Sequence, residues 1–325
     1  MNPPDVSFVV PTFRRPDALA PTLDALAQLD YPADRYEVIV VDNADDQATA
    51  RLVRSRPRVR YEVERKPGAA AARNRGARVA EGRILIFCDD DILVEPDHVR
   101  LQLQTRERSG EGLVNGHWHF SPQTTEALRR TPFGRYRLAL EEHFRRASTG
   151  ATQLDDGCWE MPAVSACNLA VSREQFWSLG GFDEEFPFAG AEDQEFSIRA
   201  RAAGLRLIRN DKIGLLHNDQ TITFEQFCAR EERSAQTAAV LAAKQPGSGY
   251  GRAFLAVNGP LRRSDPPAVA LKKLIKSWLA RPLPLRLAHR IVRLAERLGL
   301  PDRALARIYS GVVGVHILRG FRQGL

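Results

Sequence analysis

Through its first hundred residues the chain alternates short runs of consecutive apolar residues with longer stretches of helical period. Residues 6–10 (Val-Ser-Phe-Val-Val), 37–41 and 84–87 (Ile-Leu-Ile-Phe) are β-branched and aromatic runs of the kind buried on both faces of a parallel sheet. Residues 17–28 carry Leu19, Leu23 and Leu26 at helical spacing, with Asp17 placed to cap the helix. Residues 59–63 alternate weakly and predict a third strand. Pro67-Gly68 breaks the chain before an alanine-rich helix over 69–81, and another helix is expected over 96–108. This strand–helix alternation predicts an α/β fold with a mostly parallel, doubly wound sheet and right-handed crossovers.

Beyond residue 112 the pattern is harder to read. Strands are expected at 113–120 and 163–171, a helix with a basic face at 132–146, and an aromatic stretch with a Gly180-Gly181 turn at 176–188. A helix opens in the acidic segment 190–196, where its first turn complements the positive end of the dipole. Two short strands, 205–209 and 213–216, then lead into His217, and a helix covers 224–244. Residues 246–249 and 260–267 have the composition of linkers. The expected organisation is a catalytic domain over 1–220, an accessory helix and linker over 221–262, and a basic helical extension over 263–325.

Charge sharpens that division. The 325 residues carry a formal net charge of +7. Twelve Lys and Arg fall within 268–325 against only Glu296 and Asp302, so that segment carries +10 and the remainder −3. Whatever the basicity attracts therefore belongs to the tail. The tail twice sets apolar residues (Leu271, Leu274, Ile275, Leu279, then Leu287, Ile291, Leu294, Leu298) beside cationic ones, the design of a helix that lies on an anionic membrane or packs on the protein with its charges in water. No apolar run reaches the roughly 18 residues needed to cross a bilayer. The N-terminus lacks the pattern of a signal peptide. The four cysteines, Cys88, Cys158, Cys167 and Cys228, are scattered without a CxxC pair, which predicts a reducing, cytosolic setting and neither a disulfide framework nor a zinc site.

The chemistry concentrates where the strand over 84–87 runs into Asp89-Asp90-Asp91. Open α/β sheets bind ligands at the carboxyl ends of their strands. Three adjacent carboxylates repel one another and are best tolerated facing water or a cation. The second apolar run likewise ends in Asp42.

With these pieces placed, the chain from Val6 to His217 resembles a family 2 glycosyltransferase of the GT-A fold. The resemblance rests on Val-Val-Pro-Thr-Phe-Arg-Arg-Pro at 9–16, Val-Ile-Val-Val-Asp-Asn at 38–43 and Ala-Arg-Asn-Arg-Gly at 72–76. Phe-Cys-Asp-Asp-Asp at 87–91, Asn-Leu-Ala-Val-Ser-Arg at 168–173, Gly-Gly-Phe-Asp-Glu at 180–184 and Gly-Ala-Glu-Asp-Gln-Glu at 190–195 follow in the family's order. It implies an inverting, metal-dependent transfer of a sugar from a nucleotide diphosphate, UDP as in many relatives, to an acceptor hydroxyl. The acceptor would be a carbohydrate, a lipid-linked sugar or a small molecule.

Carried over residue by residue, the D-x-D signature falls on Asp89, toward the ribose, and Asp91, toward Mn²⁺ or Mg²⁺, with Asp90 between them. Pro11, Thr12, Arg14 and Asp42 fall at the nucleobase, though Thr12 also suits a turn and Asp42 a cap. Lys66, Arg73 and Asn74 fall on the donor side, where a basic residue can equally be a surface charge. Asp193 of Glu192-Asp193 is the base that takes the acceptor proton, and Glu192 either shares the acceptor side or only complements the helix dipole. His217 is a further metal ligand or a structural histidine, and Trp159 a sugar platform or core.

Competing classes are disfavoured. A nucleotidyltransferase that makes sugar nucleotides usually has a Gly-rich basic loop after its first strand, where this chain has Pro11-Thr12-Phe13-Arg14-Arg15-Pro16. A nucleic-acid-binding role for the basic tail has no recognition motif behind it, so no nucleic-acid partner is expected. The expected location is cytoplasmic, on the inner face of the cell membrane if the tail binds lipid.

Overall fold

The structure is a computed structural model describing residues 3–146, 150–155, 157–219, 221 and 223–324. The strands in chain order are β1 Val6–Thr12, β2 Tyr36–Asp42, β3 Val59–Val63, β4 Ile84–Cys88, β5 Ile92–Val94, β6 Leu113–Phe120, β7 Thr152–Asp155, β8 Cys158–Glu160, β9 Asn168–Ser172 and β10 Leu207–His217. The helices are α1 Pro16–Leu26, α2 Gln47–Arg54, α3 Ala69–Val79, α4 His98–Arg108, α5 Pro122–Arg129, α6 Pro132–Arg146, α7 Arg173–Ser178, α8 Glu192–Ala202, α9 Phe224–Lys244, α10 Gly249–Asn258, α11 Pro267–Leu279, α12 Pro282–Arg297 and α13 Asp302–Gln323.

Two compact units emerge. The first comprises Met1–Ser121, Ser148–Pro187 and Glu192–Gln220; the second comprises Pro122–Ala147, Phe188–Ala191 and Thr221–Leu325. The helices over 122–146 thus group with the C-terminal helices although they lie inside the expected catalytic segment. α9 and α10 belong to the body of that second unit, where the sequence suggested an accessory helix and linker.

The first unit is built on one sheet in the order β3-β2-β1-β4-β9-β6-β10-β8-β7, with β5 paired to β10. β3, β2, β1 and β4 run parallel, and β9 inserts antiparallel between β4 and β6. β6 therefore runs with β4, and β10 runs parallel to β6. The carboxyl ends of β1, β2, β4, β6 and β10 consequently share one sheet edge with the amino end of β9. Alternation splits the core in two. Val6, Phe8, Val10, Ile84 and Ile86 pack with Leu19 and Leu23 of α1 and Val99 of α4. Val9, Ile39, Val41, Leu85 and Phe87 pack with α3, α7 and α8, where Phe87 meets Phe176 and Phe182, and Phe196 packs on both of those. Gly76 lets α3 approach β1, since a Cβ there would lie 2.3 Å from Val9 Cγ1.

Several local expectations are corrected. α1 starts at Pro16, which puts Arg15 at the N-cap, and Asp17 lies exposed in the first turn without capping. α2 had no clear apolar period; it is capped by Asp46, whose carboxylate accepts from Thr49 N–H at 2.8 Å. The two strands expected around 205–216 are one strand, β10, with its irregularity between Arg209 and Gly214.

The second unit is helical. Phe133 of α6, Phe224 and Phe227 of α9, Leu285 and Val292 of α12, and Tyr309 and Val313 of α13 form its core. Arg135 holds Asp302 through two bonds of 3.0 and 2.9 Å.

Candidate active site

The shared sheet edge gathers most of the acidic motifs. Asp91 follows β4 and opens the turn into β5, whose Ile92 is in register with His217 at the end of β10. That pairing brings His217 Nε2 within 3.3 Å of Asp91 Oδ1. Two cis ligands of one octahedral Mn²⁺ or Mg²⁺ lie about 3 Å apart, so the carboxylate and imidazole are spaced to hold a common ion. Burial alone would raise the Asp91 pKa, but His217 and Arg15 outweigh it and hold the carboxylate below its ordinary range. Burial would lower the His217 pKa, and Asp91 reverses this.

Arg15 is the residue sequence reasoning missed. Its guanidinium spans the run, Nη1 to Asp90 Oδ1 at 2.9 Å and Nη2 to Asp91 Oδ2 at 2.6 Å. The resemblance pointed to the neighbouring Arg14. It sits exposed with φ +53°, its guanidinium 5.4 Å from the Phe13 ring centroid. The pair of arginines in Phe-Arg-Arg-Pro was a visible signal, but which one turned inward depended on the left-handed kink at Arg14.

Asp90 is buried and accepts from Thr12 Oγ1 at 2.6 Å as well as from Arg15. Burial, reinforced by Asp91 and Asp89, raises its pKa to about 7 despite Arg15. Thr12 and Asp90 thus brace the turn from beneath. Pro11 is half-buried in register with Val41.

Asp89 is the more open member. Its Oδ1 meets Arg73 Nη2 at 2.8 Å, and Arg73 Nη1 meets Glu192 Oε1 at 2.7 Å. Arg73 and Glu192 are both buried. Glu192 therefore lies inside, as the partner that fixes Arg73, where the sequence left it between the acceptor side and the helix dipole.

Asp193 is the next residue on α8 and is half-buried. Its Oδ1 accepts from Gln194 N–H at 2.8 Å and its Oδ2 from Ala166 N–H at 3.4 Å. Asp89 N–H donates to Cys167 O at 3.1 Å, so Asp89 and Asp193 flank the same 166–167 backbone. The Cys167 thiol, pushed up to about 12 chiefly by burial, feels both charges. Burial, with Glu192 adding to it, raises the Asp193 pKa to about 7 although Arg73 opposes the shift.

Four other expected site residues have partners within the protein. Asp42 has no exposed surface; it accepts from Ala44 N–H, Asp46 N–H and Tyr61 Oη at 2.8, 2.7 and 2.8 Å, anchoring the loop after β2. Asn74 is buried and pins Phe182 through both backbone atoms, at 2.8 and 2.9 Å. It does so beside Gly181, whose φ of +72° and 2.9 Å clearance to Asn74 Oδ1 favour glycine. Lys66 is exposed and paired with Glu184 at 2.7 Å. Trp159, in β8, is in register with Arg209 and donates to Asp211 at 2.9 Å. Arg209 is level with Asn115 of β6 and His217 with Phe120, so roughly 17 Å of strand separates Trp159 from the Asp91–His217 pair. The structure does not bring Trp159 into this site.

Comparison with known proteins follows the same outline. The profile of glycosyl transferase family 2 matches residues 7–180. The chain belongs to that family. A second profile, described as the N-terminal domain of galactosyltransferase, matches residues 157–222. Validoxylamine A glucosyltransferase of Streptomyces hygroscopicus subsp. jinggangensis is 30% identical over 227 residues, covering 62% of this chain and 52% of that protein. Glycosyltransferase AglE of Haloferax volcanii is 29% identical over 217 residues, covering 65% of this chain and 66% of that one. The chain spans about half the length of the first of these relatives. Among solved structures, the mannosyltransferase PcManGT of Pyrobaculum calidifontis, in complex with GDP-Man and Mn²⁺, superposes with a TM-score of 0.60 at 21% identity, covering 98% of this chain and 88% of that one. That likeness establishes the GT-A fold, an α/β sheet with helices following it.

Proposed function

We propose that this glycosyltransferase moves a sugar from a nucleoside diphosphate to an acceptor hydroxyl with inversion, using a divalent cation held by Asp91 and His217. The observation that carries the proposal is the 3.3 Å approach of His217 Nε2 to Asp91 Oδ1 at the sheet's carboxyl edge. A bound Mn²⁺ or Mg²⁺ would neutralise the negative charge that develops on the departing diphosphate. Arg15 fixes the second oxygen of Asp91. Arg73, locked by Glu192, holds Asp89 toward the donor ribose. Asp193 takes the proton from the acceptor hydroxyl as that oxygen attacks the anomeric carbon, and the bond to the diphosphate breaks on the opposite side. A pKa raised to about 7 suits a base working near neutrality.

The proposed setting of the acceptor comes from the helical unit. On α11, Leu271, Leu274, Ile275 and Trp278 are 49–58% exposed along one face. On α12, Leu283, Leu287, Ile291 and Leu294 form a stripe that is 49–74% exposed, while Leu285, Ala288, Val292 and Ala295 face the core. Arg286, Arg290, Arg293 and Arg297 form a row about 90° around the helix from the exposed stripe. An apolar stripe edged by cations matches an anionic lipid surface, with the leucines in the acyl boundary and the arginines at the phosphates. Among the described residues no helix is long and apolar enough to cross a membrane. The fit is to lateral docking on the cytoplasmic leaflet, which favours a lipid-linked acceptor.

A panel of UDP- and GDP-sugars, each with and without Mn²⁺, tests the donor side through thermal stabilisation and slow hydrolysis. The expected outcome is one nucleotide class that stabilises the protein only with the metal. Binding of none, or equal binding without metal, would overturn it.

A further inference from the structure

The helical unit holds a cluster of side chains that the transfer reaction does not use. Cys228 of α9, His289 of α12 and His316 of α13 come from positions far apart in sequence, and one ligand atom from each lies within 4.8 Å of the others. Cys228 and His316 are buried and His289 is half-buried. The two imidazoles meet nearly at right angles, with their Nε2 atoms 3.0 Å apart. His316 Nδ1 lies 2.6 Å from Glu232 Oε2, and Glu232 is one turn along α9 from Cys228.

This geometry constrains the protons. The Glu232 carboxylate accepts the Nδ1 hydrogen of His316, which leaves the His316 Nε2 lone pair aimed at His289. A second shell of this kind, carboxylate to imidazole to metal, fixes the tautomer of a ligating histidine. Two imidazole nitrogens on one tetrahedral zinc lie about 3.3 Å apart, and a thiolate lies about 3.6 Å from each. The observed nitrogen separation is within a few tenths of an ångström of that.

We propose that Cys228, His289 and His316 bind Zn²⁺, with Glu232 orienting His316 and a solvent molecule completing the tetrahedron. One thiolate and two imidazoles are a borderline-soft donor set that suits zinc rather than the hard cations of the sheet edge. Binding replaces the thiol proton with the metal and releases that proton to solvent, while the His289 hydrogen moves from Nε2 to Nδ1 so that both Nε2 lone pairs reach the ion. The ion would tie α9, α12 and α13 together, and α12 carries the exposed leucine stripe. The cysteine spacing gave no hint of this, because a single cysteine and two histidines meet only when the three helices pack.

The test uses the full chain, stripped with chelator and titrated with Co²⁺ and then Zn²⁺. The expected result is one equivalent of tetrahedral Co²⁺ with a thiolate-to-cobalt charge-transfer band, displaced by Zn²⁺. The band should vanish in Cys228→Ser and persist in Asp91→Asn and Cys167→Ser. Zn²⁺ should raise the thermal midpoint of the wild type and leave that of Cys228→Ser unchanged. Glu232→Gln should weaken Zn²⁺ by about 10- to 100-fold. His289→Gln, which can still hydrogen-bond to His316, should lose the metal. Absence of a thiolate band in the wild type, or a band that survives Cys228→Ser, would overturn the site; a purely structural imidazole pair predicts no metal-dependent stabilisation at all.

Discussion

The two units differ in what they do against the ordinary rules of burial. The α/β unit takes charges inside: Arg73, Glu192, Asp90 and Asp91 are all buried, and each has a named ionic partner. The helical unit leaves apolar residues outside, with Leu283 at 74% exposure and Leu298 at 69%. Neither arrangement serves folding alone, because burying ions is expensive unless they are paired, and exposed leucines forgo their burial energy. In the first unit the cost maintains a preorganised anionic site. In the second, the exposed face is the one proposed to meet a lipid surface.

Four perturbations sharpen this contrast. The largest effect is expected for Asp193→Asn, which removes the proposed base and should lower kcat by about 10²- to 10⁴-fold with little change in donor affinity. In the wild type, with saturating metal, the rate should fall as pH drops below about 7, because the base works only when deprotonated. A flat acid limb measured by initial rates would remove Asp193 from that role.

Arg73→Met should come next. It strands the buried Glu192 without its cation, and denaturant unfolding should show a loss of about 3–5 kcal/mol. A loss below about 1 kcal/mol, the range of exposed pairs, would mean the clamp is not buried as described.

Arg15→Ala should cost less stability than that, because Asp91 keeps His217 and Asp90 keeps Thr12, while weakening Mn²⁺ by about 10- to 100-fold, as loss of a supporting partner does. Isothermal titration would check this, and unchanged affinity would show that Asp91 needs no help to point at His217.

The smallest effect on folding belongs to the paired change Leu287→Glu and Leu294→Glu. Both side chains are about half exposed, so stability should move by no more than about 0.5 kcal/mol. Flotation with phosphatidylserine vesicles should nonetheless be lost. Retained flotation would argue that the helical unit does not use this face.

The sheet was largely legible because both-face burial writes unbroken apolar runs into β1, β2 and β4, and because Asp89–Asp91 follow one of them directly. The helix α9 matched its expected bounds, since a capping box at Thr223 and Gln226 starts it and Pro246 follows it. α2 was missed because its apolar stripe is short and its start depends on one Asp46 cap. At the site, residue type was legible but direction was not. Arg14 and Arg15 are identical in composition terms, and a positive φ decides between them. Asp42 and Asn74 carry polar chemistry that tertiary packing directs to backbone groups and Tyr61. His217 met Asp91 only through the β5–β10 pairing, and β5 is three residues long. Trp159 is carried to the other end of β10 by a strand pairing that no local pattern announces.

Electron paramagnetic resonance of Mn²⁺ titrated into the protein with a nucleoside diphosphate tests the central claim most directly. Wild type and Asp193→Asn should bind one ion with similar affinity, while Asp91→Asn and His217→Gln should each lose it. Binding that is undiminished in Asp91→Asn would contradict the account.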